Sequence, residues 1–235
     1  MIGICDWGIG GIGVLKELNK NGSFNFVYLS DSGFTPYGKV PEAALRERWR
    51  LVKEFLEAQG ATKIVVACNA LSTVIDEQKG ISTIIDAGKK AIQEVKGEKI
   101  GIVGGNRTID SAILQDFATS LGRKNIGISA QKWSARIEKG DLDSQELIAD
   151  INEVMNNLED CSSVILACTH YPAITPILKR LYPEIDFIDP ANYLTLITNE
   201  DSSKGVFYTT GDHISSDISS LKSFDFRTSF SKVEI

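Results

Sequence analysis

A stretch of sequence that returns after about 100 residues restricts the fold more than any other feature of the chain. Ile64-Val65-Val66-Ala67-Cys68 reappears as Val164-Ile165-Leu166-Ala167-Cys168, and Ile2-Gly3-Ile4 reappears as Ile100-Gly101-Ile102, each time ahead of a glycine-containing turn. Ile84-Ile85-Asp86-Ala87 reappears as Phe187-Ile188-Asp189-Pro190 at nearly the same offset. One Val/Ile-rich match is ordinary in a parallel-sheet protein. Three in the same order indicate a duplicated unit.

Short β-branched runs at 2–5, 26–30, 64–67, 100–103, 164–167 and 187–188 alternate with helix-like stretches at 11–20, 42–59, 87–95, 111–121, 144–158 and 175–181. Pro41 suits the first turn of the helix beginning near Glu42, and Gly60 suits its end. The alternation predicts an α/β fold of two similar α/β domains with mainly parallel sheets, related by pseudo-twofold symmetry, with the active site in the cleft between them. Strand-like Val206-Phe207-Tyr208-Thr209 is expected to return to the first unit. The expected domains are therefore 1–90 plus 200–235, and 91–199.

Composition removes several classes of function. The 235 residues are 43% hydrophobic and 24% charged, which is ordinary globular balance. The net charge is −6 and there is no Lys/Arg block, so a nucleic-acid partner is not expected. No apolar run approaches the roughly 20 residues that span a bilayer, and no basic, apolar leader follows Met1. The expectation is a cytoplasmic protein acting on a small molecule. Four cysteines without a Cys-x-x-Cys pair, and two histidines far apart in sequence, predict reduced thiols and no metal site.

In open parallel sheets, ligands bind outside the carboxyl ends of the strands. Cys68 and Cys168 follow such strands at matched places, so two facing units would bring a thiol to each side of one cleft. A thiol with an ordinary pKa of about 8.5 is accessible in both protonation states after modest tuning. One cysteine can then remove a proton while the other delivers one. Cys5 and Cys161 read as small buried hydrophobes. No Walker lysine follows the glycines of Asp6-Trp7-Gly8-Ile9-Gly10-Gly11-Ile12-Gly13 in P-loop spacing. They suggest a tight strand-to-helix turn offering N–H groups to an anionic ligand.

Taken with Asp31, Pro36-Tyr37-Gly38, Cys168-Thr169-His170-Tyr171-Pro172 and Tyr208-Thr209-Thr210-Gly211-Asp212, these motifs make the chain resemble the glutamate racemase branch of the aspartate/glutamate racemase superfamily. The resemblance covers nearly the whole chain. It implies a cofactor-independent isomerase that interconverts L- and D-glutamate for peptidoglycan synthesis, with Cys68 and Cys168 as catalytic thiols and Asp6 and His170 as their polar neighbours. It places substrate contacts at Trp7, Pro36, Tyr37, Gly38, Asn69, Ala70 and Thr169, and it admits a homodimer. Read without the resemblance, Asp6 and His170 also fit turn-capping or core roles, and Tyr37 fits packing.

The family usually carries Ser where this chain has Trp7, a Thr-rich run where it has Ala70-Leu71-Ser72-Thr73, and Thr where it has Gly105. Hydroxyls at such places would hold a substrate carboxylate. Their loss leaves two other outcomes open: a cleft-bearing binding or regulatory protein without turnover, and a superfamily enzyme acting on another amino acid.

Overall fold

The computed structural model describes residues 1–20, 22–158, 160–195 and 204–235. In chain order the first part runs β1 (Ile2–Asp6), α1 (Gly11–Lys20), β2 (Phe26–Ser30), α2 (Glu42–Ala58), β3 (Lys63–Val66), α3 (Asn69–Ser72), β4 (Ile81–Thr83) and α4 (Ile84–Glu94). Next come β5 (Lys99–Gly104), α5 (Asn106–Asp110), α6 (Ile113–Ser120), β6 (Lys124–Ser129), α7 (Gln131–Ile137), α8 (Gln145–Met155), β7 (Ser163–Ala167), α9 (Thr175–Leu181) and β8 (Asp186–Ile188). The chain then supplies β9 (Gly205–Thr209), α10 (His213–Phe224) and β10 (Phe230–Lys232).

Two sheets result, and every strand pairing among the described residues is parallel. The six-stranded sheet has the order β10-β9-β2-β1-β3-β4, and the four-stranded sheet has β6-β5-β7-β8. The inner order of the larger sheet, β2-β1-β3-β4, is that of the smaller one with each strand replaced by its counterpart. The duplication seen in sequence is thus a duplication of topology. All five residues of β1, of β2 and of β7 are buried, as expected when helices cover both faces of a parallel sheet.

Helix α4 packs on both halves. Its Ile84 and Ala87 join the core of Ile4, Val65 and Tyr28, while Ile85, Ala91 and Ile92 join that of Ile100 and Ile165. Burying each such isoleucine contributes about 1.5–3 kcal/mol, so the two halves share a continuous apolar seam.

The structure corrects three details. Ile84-Ile85-Asp86-Ala87 is the first turn of α4, capped by the Thr83 hydroxyl accepting from the Asp86 N–H, and is not a strand. The counterpart of β8 is the short β4 just before it. The helix expected at 111–121 runs as α6 from Ile113 to Ser120, and Ala112, whose φ of 55° is left-handed, separates it from α5, which the sequence pattern did not predict. Strand β6, whose residues are nowhere fully buried at the sheet edge, was not anticipated.

Candidate active site

Strand order explains where the cleft opens. In each sheet the chain crosses from one side of the first strand to the other between β2 and β3, or between β6 and β7, leaving a crevice at the carboxyl ends of the two central strands. Asp6 ends β1 and Cys68 follows β3. Gly105 follows β5 and Cys168 follows β7. Both crevices open into one cavity of about 280 Å³.

All of the expected site residues line that cavity. Asp6, Trp7, Cys68, Asn69 and Ala70 come from the β1 and β3 ends, and Pro36, Tyr37 and Gly38 from the turn after β2. Cys168, Thr169 and His170 come from the β7 end. Among the departures from family pattern, Trp7, Ala70 and Gly105 reach the cavity, whereas Leu71 is fully buried in the core beside Leu45 and Val66.

Two ionisable groups flank the thiols. Asp6 is buried at the end of β1, where its Oδ1 accepts the Trp7 N–H at 2.7 Å and its Oδ2 accepts the Thr169 hydroxyl at 2.7 Å. Burial lifts its carboxyl above the ordinary range, against the opposing pull of His170 and of hydrogen bonds from Thr169, Trp7 and the Cys68 thiol. Burial also pushes the Cys68 thiol well up, with the Asp6 charge adding to it and the Leu71 and Trp7 N–H groups offsetting part. A buried thiol beside a carboxylate therefore keeps its proton until a base takes it.

The other thiol meets a cation. His170 Nδ1 lies 3.8 Å from Cys168 Sγ, and His170 Nε2 lies 2.6 Å from Glu138 Oε2. Burial works against the imidazolium, but the contacts with Cys168 and Glu138 outweigh it and raise the histidine well above its usual value. His170 leads into a short helical turn, Tyr171–Ile174, whose Tyr171 hydroxyl donates to the Ala130 carbonyl at 2.8 Å and whose Tyr171 ring packs edge-on against Trp133.

Sequence reasoning missed Glu138, which follows α7 as its C-cap and carries no local motif. It also misassigned the glycine turn. The Ile9 N–H is donated to Glu138 Oε2 at 3.1 Å, so the anion at this turn is a carboxylate of the protein itself. Gly10 lies so close to the β7 end that a Cβ there would sit 2.5 Å from Thr169 Oγ1 and 2.7 Å from His170 Nδ1. Absence of a side chain lets the two halves meet.

The wall after β2 is held by a buried ion pair. Arg48 of α2 binds Asp31 through both carboxylate oxygens, at 2.7 and 2.5 Å, and the Tyr37 hydroxyl donates to the same carboxylate at 2.5 Å. Thr210 adds a further donor at 2.8 Å. Asp31 and Thr210 thus support the site without lining it. Trp7 is docked onto this wall by its indole N–H, which donates to the Phe34 carbonyl at 2.9 Å.

Asn69 is 4% exposed, and neither atom of its side-chain amide has a hydrogen-bond partner among the described residues. A buried amide without partners is costly unless a ligand supplies them. Lys39, Arg107, Gln131 and Lys132 also line the cavity and were not anticipated.

Two parallel sheets that bring one thiol each to a shared cleft, with a buried carboxylate near one and an imidazolium near the other, define a proton-transferring α/β isomerase. The sequence pattern described as Asp/Glu/Hydantoin racemase matches residues 19–195. A glutamate racemase of Carboxydothermus hydrogenoformans is 30% identical over 232 residues, covering 90% of this chain and 87% of that one. One from Stutzerimonas stutzeri is 32% identical, covering 80% and 76%. The crystal structure of a glutamate racemase isoform from Bacillus anthracis superposes with a TM-score of 0.90 at 23% identity, over 100% of this chain and 97% of that one. The chain belongs to the Asp/Glu/hydantoin racemase family, and it is an isomerase of the amino-acid racemase class. No helix among the described residues is long and apolar enough to cross a membrane.

Proposed function

We propose that this racemase interconverts L- and D-glutamate, with Cys68 and Cys168 as its two bases and with no organic cofactor or metal. The observation that carries the assignment is that both thiols line one cavity from equivalent strand ends, each with its own proton-handling neighbour. The name shared by the relatives supports glutamate as substrate, and the B. anthracis structure supports the fold.

In this reading the substrate Cα sits between the sulfurs. One thiolate takes the α-proton and the opposite thiol delivers its own proton to the other face, so one C–H bond breaks, one forms, and the two sulfurs exchange protonation states. Asp6 accepts and returns the Cys68 proton, and His170 does the same for Cys168. Glu138 holds the imidazole in place. Asn69 and Thr169, with Trp7, Ala70, Pro36, Tyr37 and Gly38, form the substrate's surroundings, and the partnerless Asn69 amide serves its ammonium and α-carboxylate. Removing an α-proton next to an ionised carboxylate builds negative charge that such preorganised donors stabilise.

Supply of D-glutamate to peptidoglycan, a cytoplasmic location and a homodimer belong to the same reading. So does the division into domains 1–90 plus 200–235 and 91–199, whose second boundary lies outside the described residues.

The test is loss of the Cα proton in deuterated solvent, followed by NMR from both glutamate enantiomers. Wild-type protein should exchange both, and Cys68→Ser and Cys168→Ser should each lose about 10²- to 10⁴-fold, the usual worth of a positioned acid or base. Normal racemisation by either variant would remove the two-base assignment. Lack of exchange with glutamate in the wild type would remove the substrate.

A further inference from the structure

Three ammonium or guanidinium groups line the cavity, and they are not equivalent. Lys132 is ion-paired with Asp150 and Glu153, and Lys39 is exposed at the turn after β2. Arg107 is half-buried and has no carboxylate within ion-pair distance among the described residues. It belongs to α5 in the four-stranded half and reaches across to the six-stranded half. There Nε donates to the Tyr37 carbonyl at 3.3 Å and Nη2 donates to the Val40 carbonyl.

The guanidinium is a planar fork with five N–H groups. Nε and Nη2 form one side of it, and that side holds the two carbonyls. Its end, formed by Nη1 and the second N–H of Nη2, has no acceptor among the described residues. Two neutral carbonyls do not balance a full positive charge, and an open guanidinium end matches a carboxylate in two parallel hydrogen bonds. The partnerless Asn69 amide adjoins Cys68 and so serves the reacting end of the substrate. What remains to be held in a dicarboxylic amino acid is its side-chain carboxylate.

We propose that Arg107 determines specificity by binding that side-chain carboxylate through the end of its guanidinium, while Nε and Nη2 keep the Tyr37–Val40 turn against it. This rests on the glutamate reading above. It also accounts for a polar substrate in a cavity where Trp7, Ala70 and Gly105 offer no hydroxyl.

The test compares wild type, Arg107→Gln and Arg107→Lys for kcat and KM with both glutamate enantiomers, and for inhibition by glutarate. Arg107→Gln should raise KM and the glutarate inhibition constant at least tenfold each while kcat changes less than threefold. Arg107→Lys, which keeps the charge and loses the fork, should recover part of the loss. An unchanged glutarate constant overturns the proposal, whatever happens to kcat, because a residue that only positions the turn would not discriminate a carboxylate. Should Arg107→Gln fail to fold, Arg107→Lys decides alone: it should weaken glutarate at least threefold, and no weakening overturns the assignment. Should wild type fail to turn over glutamate, the substrate reading falls separately. Thermal shift by glutarate then decides on Arg107, and equal shifts in wild type and Arg107→Gln, or none in either, overturn it.

Discussion

Glu138 Oε2 stands 2.6 Å from His170 Nε2 and accepts the Ile9 N–H at 3.1 Å, so one oxygen ties the imidazole of the smaller half to the glycine turn of the larger. Glu138→Gln removes the charge that favours the imidazolium. Activity should fall by roughly 10²-fold, the cost of a misplacement near 1 Å, and the alkaline limb of the pH–rate profile should move to lower pH. A fall in rate with an unmoved profile would show that Glu138 only packs.

The same pair predicts a pH dependence of stability. His170 is raised well above its ordinary 6.5 in the folded protein. A group raised on folding contributes stability that is fully present below its unfolded value and is lost as pH rises through its folded value. The melting temperature should therefore decline above the ordinary histidine range, and the decline should be smaller in His170→Asn. Parallel profiles in the two proteins would contradict the assignment.

Burial separates the two thiols chemically. Cys68 is 7% exposed and held protonated, whereas Cys168 is only partly buried. Thiolates are the reactive form, so iodoacetamide near neutral pH should label Cys168 before Cys68, as read by peptide mass spectrometry. The reverse order would mean that the cavity opens on the Cys68 side.

Gly10→Ala tests the contact between the halves. The added methyl would collide with Thr169 Oγ1 and His170 Nδ1, displacing both from Asp6 and Cys168. Activity should drop at least tenfold with the fold retained by circular dichroism. Full activity would mean that the β7 end moves aside freely.

Arg48→Leu leaves Asp31 buried beneath Tyr37 without its ion-pair partner. Breaking one side of a buried pair costs about 3–5 kcal/mol, which for a chain of this size lowers the melting temperature by roughly 6–20 °C. Calorimetry reads this directly, and a change under 2 °C would assign the pair no structural weight.

The cysteine-bearing strands were legible because duplication makes a weak local signal appear twice, and strand order then places both ends at one crevice. The third repeat misled, because Ile84-Ile85 is apolar in a helix seated between two cores as it would be in a strand. Strand β6 was overlooked because Asn125-Ile126-Gly127-Ile128 lies at an edge, where burial is partial and Gly weakens the pattern. Glu138 and Arg107 gave no signal at all. Each acquires its role from a partner dozens of residues away, His170 for one and the Tyr37–Val40 turn for the other, and a lone charged residue in a short helix otherwise reads as surface.

The path of the chain through its two sheets has a bearing on synthesis. The smaller sheet uses only Lys99 to Ile188, while β9 and β10 at one edge of the larger sheet come after it in the chain. A chain leaving the ribosome amino end first can therefore complete the later-starting sheet first. Until the last strands emerge, the edge of β2 that pairs with β9 lacks its partner. The cavity-lining residues, from Asp6 to His170, all precede β9, so the walls of the cleft are synthesised before the edge of the larger sheet is closed.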